Sequence, residues 1–77
     1  MKNAYIAQVI KDECTKQGIP ISLLLKECDI RKSLIYDLEK RDYTPSAHVL
    51  YKIAEYFDIS LDYLTGRTNS PKIHKEE

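Results

Sequence analysis

The stretch PISLLLKECDIRKSLIYDLEKR, residues 20–41, decides the fold, because it holds two short helical patterns separated by only a few residues. In the second pattern Leu34, Ile35 and Leu38 cluster on one side of a helix, at about 100° per residue. The opposite side carries cations, a hydroxyl and an aromatic ring, namely Lys32, Ser33, Tyr36 and Lys40. An apolar side for packing and a cationic side for contact are typical of a helix-turn-helix unit.

The chain on either side of this stretch predicts three more helices. Apolar residues recur at the helical period over residues 3–17, with Asn3 as the cap and Gly18 as a left-handed stop. Residues 46–57 give the strongest amphipathic pattern in the chain, and a last short helix covers LDYLT at residues 61–65.

Within the central stretch, the second helix is predicted from Pro20 to residue 27 or 28, and the third from residue 31 or 32 to Lys40. Asp29 and Ile30 form the turn between them, because Asp tolerates left-handed backbone angles. The predicted class is therefore all-α, with five helices around one core. Residues 1–66 form the domain, and residues 67–77 are predicted to be a polar, flexible tail.

Charge is unevenly distributed along the chain. The net charge is zero, whereas nucleic-acid-binding domains usually carry a net positive charge. Residues 31–41, however, hold four basic and two acidic side chains, a local net charge of +2. Positive charge is therefore concentrated on the third predicted helix.

Several function classes are not expected from this composition. No apolar run approaches the roughly 18 residues of a membrane span, and no secretory signal pattern is visible, so we expect a cytoplasmic protein. Cys14 and Cys28 lie on apolar helix sides and are expected to be reduced, buried thiols. His48 and His74 are isolated, so no metal site is predicted. No catalytic constellation or phosphate loop is present, and we expect no enzyme, cofactor or small-molecule ligand.

Short motifs occur in a fixed order between residues 5 and 66. They are Gly18-Ile19, Leu24, Ile30, Ser33 with Ile35, Leu38-Glu39, Pro45-Ser46, Lys52-Ile53-Ala54, residues 60–64 and Gly66. Their order and spacing resemble the Cro and repressor type of helix-turn-helix DNA-binding domain, the xenobiotic-response-element family. The resemblance covers about this whole range without a gap.

This resemblance implies a compact five-helix, lambda-repressor-like domain whose second and third helices form the helix-turn-helix. It implies a sequence-specific regulator of transcription that binds double-stranded DNA, a repressor of phage or bacterial type, with residues 32–40 in the major groove. The residues expected to contact base edges are Lys32, Ser33, Tyr36 and Asp37. Those expected to contact DNA phosphates are Arg31, Lys40, Arg41 and Tyr43.

The sequence departs from the family pattern at four positions. Ile21 replaces a Gln that contacts a phosphate, Leu25 replaces a small residue, and Asp29 replaces the turn Gly. Asp37 lies where a cation is common. These changes leave a second function open, a protein-interaction module of antirepressor or antitoxin type with little DNA affinity.

The aromatic end of the domain also has two interpretations. Tyr56, Tyr63 and Leu64 either cover the core or form a two-fold dimer patch, and we favour a homodimer.

Overall fold

The computed structural model describes residues 3–41 and 43–68, and in these residues the chain forms helices without strands. The five helices are α1 (Asn3–Gln17), α2 (Ile21–Glu27), α3 (Leu34–Lys40), α4 (Ala47–Phe57) and α5 (Leu61–Leu64). The predicted all-α class is confirmed. Most of the predicted flexible tail, from residue 69 onward, lies outside the described residues.

The start of α3 is the main difference from the predicted bounds. Lys32 and Ser33 form a turn before the helix, and the backbone amide of Leu34 donates to the carbonyl of Arg31 at 3.3 Å. Ser33 occupies the N-cap position, but its hydroxyl makes no capping hydrogen bond. The hydroxyl donates to the Asp37 carboxylate instead, at 2.9 Å. The helix begins at Leu34, two or three residues later than the polar and apolar pattern predicts.

The helix ends follow the predicted turn chemistry at most positions. Asp29 has a φ of 56°, which confirms the left-handed turn between α2 and α3. The Ser46 and Ser60 side chains cap α4 and α5 by accepting backbone hydrogen bonds. Asn3 is the first residue of α1 in the described part of the chain, and its side-chain amide donates to the Thr44 hydroxyl at 3.3 Å.

A single core forms where the apolar sides of the five helices meet. α1 packs against α2, α3 and α5, and α4 packs against α5. Each large side chain buried here contributes about 1.5–3 kcal/mol relative to exposure. The large side chains that are fully buried are Ile6, Ile10, Leu24, Leu34, Ile53 and Leu64. Because α1 and the core hold α3 from behind, only its outer side is left for contact with a partner.

Both cysteines belong to this core. Cys14 and Cys28 are free and buried. Burial raises the pKa of both thiols, because the thiolate would lose its hydration. Each sulfur therefore behaves as a small apolar core group.

Candidate nucleic-acid interface

The outer side of α3 is the most prominent polar surface of the helix-turn-helix. Leu34 and Leu38 are buried against the core, whereas Tyr36 between them is 56% exposed. Lys32 and Lys40, before and at the end of the helix, are also exposed. The amphipathic pattern predicted for this helix is confirmed, and it leaves an aromatic ring with a cation on either side along the chain.

Asp37 does not lie on this outer side. Its residue exposure is only 6%, because it follows Leu34 by three residues and so lies beside the apolar side of the helix. One carboxylate oxygen accepts the Ser33 hydroxyl at 2.9 Å and lies 3.3 Å from the Arg31 Nε. The other is 3.9 Å from the Arg41 Nε. This position contradicts the base-contacting role predicted for Asp37, because the carboxylate is withdrawn from the surface.

The two arginines beside Asp37 each also meet an aromatic ring. The Arg31 guanidinium lies 4.6 Å from the centre of the Tyr43 ring, and the Arg41 guanidinium lies 5.7 Å from that of Tyr36. Such cation–π contacts contribute about 0.5–1 kcal/mol at exposed sites. Both arginine side chains stay more than half exposed. The predicted phosphate-contacting residues Arg31, Arg41 and Tyr43 are therefore brought together around one buried carboxylate.

Glu39, the other acidic residue among positions 31–41, is paired with α1. The Lys11 ammonium donates a hydrogen bond to its carboxylate and forms an ion pair with it. Both acidic side chains of the segment are thus matched by cations, and neither lies unpaired beside Tyr36.

The first motif helix explains two of the sequence departures. Ile21 is half-buried and packs against the core cluster, so its side chain adds apolar contact where a hydrogen-bonding residue would reach a phosphate. Leu25 is 4% exposed and belongs to the core cluster. Ile30, in the turn, also packs against the core.

The dimer patch predicted at the end of the domain is not one surface. Leu64 has no exposed area, because α5 turns it into the core, so for this residue the core interpretation is right and the dimer-patch interpretation is wrong. Tyr56 and Tyr63 are half-buried and pack against the core cluster. The Tyr56 ring meets Phe57 edge to face, with centroids 5.7 Å apart. These two tyrosines therefore cover the core with one face and keep part of the other exposed.

Sequence reasoning missed the network around Asp37. A signal for it was present, since Ser33 precedes Asp37 by four residues and Arg41 follows it by four, a spacing at which side chains meet on a helix. No such spacing predicted the contact between Arg31 and Tyr43, because Arg31 precedes α3 in the chain and Tyr43 follows it.

α3 follows α2 after a short turn and presents a cationic and aromatic outer side, an arrangement typical of helix-turn-helix units. A helix-turn-helix family model, HTH_3, matches residues 10–64, which is more than half of the chain. The chain belongs to this Cro/C1-type helix-turn-helix family of DNA-binding transcription regulators, and its fold is lambda-repressor-like. Comparisons with curated proteins and with solved structures gave no match.

No helix in the described part of the chain is both long and apolar enough to cross a membrane.

Proposed function

We propose that this protein is a sequence-specific regulator of transcription, a cytoplasmic repressor of phage or bacterial type that inserts the outer side of α3 into the major groove of double-stranded DNA. One observation carries the proposal. The acidic side chains of the segment are turned inward or paired, while Tyr36, Lys32 and Lys40 remain exposed.

The base-contacting residues in this proposal are Lys32, Ser33 and Tyr36. Lys32 can donate to the acceptor oxygen and nitrogen of guanine in the major groove. The Ser33 hydroxyl donates to Asp37 and so offers its lone pairs to a base amino group. Tyr36 supplies an exposed ring for the thymine methyl and a hydroxyl for a base edge or a phosphate.

The phosphate-contacting residues are Arg31, Lys40, Arg41 and Tyr43. The first three are exposed cations at the two ends of α3, where a helix lying in the major groove passes the DNA backbone. Tyr43 is half-buried and supports the Arg31 guanidinium from below. Asp37 has no direct DNA contact in this proposal.

We also propose that the regulator binds as a homodimer, because one α3 reads only a few base pairs. Two-fold symmetric proteins of this type contact half-sites about 34 Å apart. Sedimentation of the protein with its selected duplex should then give two chains for each duplex. A complex of one chain with each duplex would refute the dimer while leaving the DNA-binding function in place.

Selection from random duplexes tests the function directly. The full chain is incubated with a random duplex pool at low and at moderate salt, and the bound fraction is sequenced after each round. We expect an enriched sequence, bound less tightly at higher salt because phosphate contacts release counterions. Absence of both enrichment and salt dependence would refute DNA binding.

Two variants and one control locate the contact surface. Tyr36→Ala and Lys32→Ala should each weaken the preference for the selected sequence over random DNA. Each lost base contact should cost about 1–3 kcal/mol of this preference. Tyr51→Ala is the matched control, because Tyr51 on α4 is 55% exposed, nearly the same as Tyr36. If Tyr36→Ala keeps full sequence preference, or Tyr51→Ala weakens it as much, the contact surface is assigned to the wrong helix.

A protein-interaction module on the same fold is the second candidate. Ile21 supports it, because the residue packs inward where a phosphate-contacting side chain is expected, and the chain has no net positive charge. In that case the duplex selection fails, and a partner protein binds the full chain. The same variants then distinguish whether α3 forms the contact with that partner.

A further inference from the structure

We infer that Asp37 is a positioning residue for DNA binding, which holds Arg31 and Arg41 in the orientations that contact phosphates. The inference rests on the proposed function. It assigns a favourable role to a carboxylate that, by charge alone, would oppose DNA binding from within the recognition helix.

The first argument is that the Asp37 carboxylate is buried and that both of its oxygens have partners. Asp37 is 6% exposed and yet lies within ion-pair distance of cations on both oxygens, with the Ser33 hydroxyl as a further donor. A buried carboxylate needs such partners, because its lost hydration must be replaced. Asp37 therefore stays in place, and the two arginines have a fixed anchor.

The second argument is that each arginine is held from two directions. Arg31 lies between Asp37 and the Tyr43 ring, and Arg41 lies between Asp37 and the Tyr36 ring. A long flexible side chain held by a carboxylate and by an aromatic face samples fewer rotamers. The two arginines are thus ordered before any DNA is bound.

The third argument is that this anchoring leaves donors available. Both ion pairs involve the Nε atom of the arginine. A guanidinium carries five N–H donors, so four remain on the terminal nitrogens of each side chain. Since both side chains are more than half exposed, these donors can form bidentate contacts with phosphate oxygens.

Arg31 and Arg41 flank α3, and Asp37 lies within it. One carboxylate therefore sets the distance between two phosphate contacts, one at each end of the recognition helix. Ordering the arginines in advance lowers the entropic cost of binding, which is the usual benefit of preorganisation.

Asp37→Asn tests the inference, because the two explanations predict opposite changes in DNA affinity. Removing a negative charge close to DNA should tighten binding if charge alone matters. If Asp37 positions the arginines, the variant should instead bind the selected duplex about tenfold more weakly, since two long side chains must then be ordered on binding. Affinity is measured by fluorescence anisotropy, and far-ultraviolet circular dichroism checks the fold.

A double-mutant cycle separates positioning from a structural role. In an Arg31→Gln/Arg41→Gln background, Asp37→Asn should leave DNA affinity equal or raise it, because the residues through which it weakens binding are absent and only the loss of a negative charge remains. A tenfold decrease that persists in that background would overturn the inference and make Asp37 a structural residue. Equal or tighter binding by Asp37→Asn alone would also overturn it.

A measurement on the unaltered protein decides the case if Asp37→Asn does not fold. The chain has three arginines, and Arg67 is the internal control, because its partner Asp62 has a side chain that is 59% exposed. Nitrogen-15 relaxation of the Nε–Hε groups should show Arg31 and Arg41 more ordered than Arg67 in the free protein. Equal mobility of all three would overturn the inference.

The two failures are distinguishable. If the unaltered chain selects no duplex, the proposed function fails before Asp37 is tested. If the unaltered chain binds its duplex and Asp37→Asn binds it equally well, only the positioning role fails.

Discussion

Replacing Lys40 with Gln should remove one phosphate contact and so make DNA binding less dependent on salt concentration. Lys40 lies in the last turn of α3 and is exposed. The substitution removes its charge while keeping much of its length and its polarity. Because the side chain lies outside the core, we expect the fold to be retained.

The magnitude follows from the number of cations placed at phosphates. Each phosphate neutralised on double-stranded DNA contributes about 0.9 to the slope of log affinity against log salt concentration. Arg31, Lys40 and Arg41 together give a slope of about 2.7 for one chain on a duplex, so affinity falls about 40-fold between roughly 50 and 200 mM salt, and two chains on one duplex double the slope. In Lys40→Gln the slope falls to about 1.8, and the same change of salt costs about 12-fold.

Fluorescence anisotropy with the selected duplex at four or more salt concentrations gives both slopes. Lys16→Gln is the matched control, since the Lys16 side chain is 66% exposed on α1, outside the proposed contact segment. The control should keep the slope of the unaltered chain. An unchanged slope in Lys40→Gln, or an equal decrease in Lys16→Gln, would refute the assignment of phosphate contacts to the ends of α3.

Three further predictions concern stability. Leu64→Ala should lower the free energy of unfolding by about 2–5 kcal/mol, as expected for a fully buried leucine. Leu61→Ala is the control and should lower it clearly less, because Leu61 is 38% exposed. Similar urea midpoints for the two variants would contradict the core position of Leu64. Gly66→Ala should cost about 1–2 kcal/mol by urea unfolding, because φ is 85° and a tyrosine ring atom lies 3.1 Å from the position of the added Cβ. Burial raises the pKa of Cys14 and Cys28, so the folded state disfavours their thiolates, and the free energy of unfolding should fall as the pH rises above the ordinary thiol pKa of about 8.5. Equal stability at neutral and strongly alkaline pH would contradict that last expectation.

Much of the fold could be predicted from local sequence. The end of α1 at Gly18, the turn at Asp29 and the serine caps of α4 and α5 follow from the conformational preferences of single residues. The core side of α4 follows from the repeat of apolar residues at the helical period. These features depend on interactions within a few residues, which is why a linear sequence reveals them.

The contact surface could be predicted only in part. Tyr36 and Lys40 lie opposite the apolar side of their own helix, and this local geometry is enough to predict their exposure. The start of α3 could not be predicted from the same pattern, because Lys32 and Ser33 continue the polar side of the helix and yet form a turn before it. The Ser33 hydroxyl also had two competing partners, a backbone amide of the helix and the Asp37 carboxylate. It bonds to Asp37 and does not cap the helix.

The sequence by itself determined five helices, their order and the side of α3 that faces outward, since periodicity and turn residues act locally. Only the tertiary structure decided that Asp37 is buried, that Arg31 lies between Asp37 and Tyr43, that Lys11 of α1 pairs with Glu39, and that Leu64 belongs to the core. The physical reason is that burial depends on which helices cross at a position. A residue at the edge of an apolar side becomes core or surface only when another helix packs there, and no local pattern records that choice.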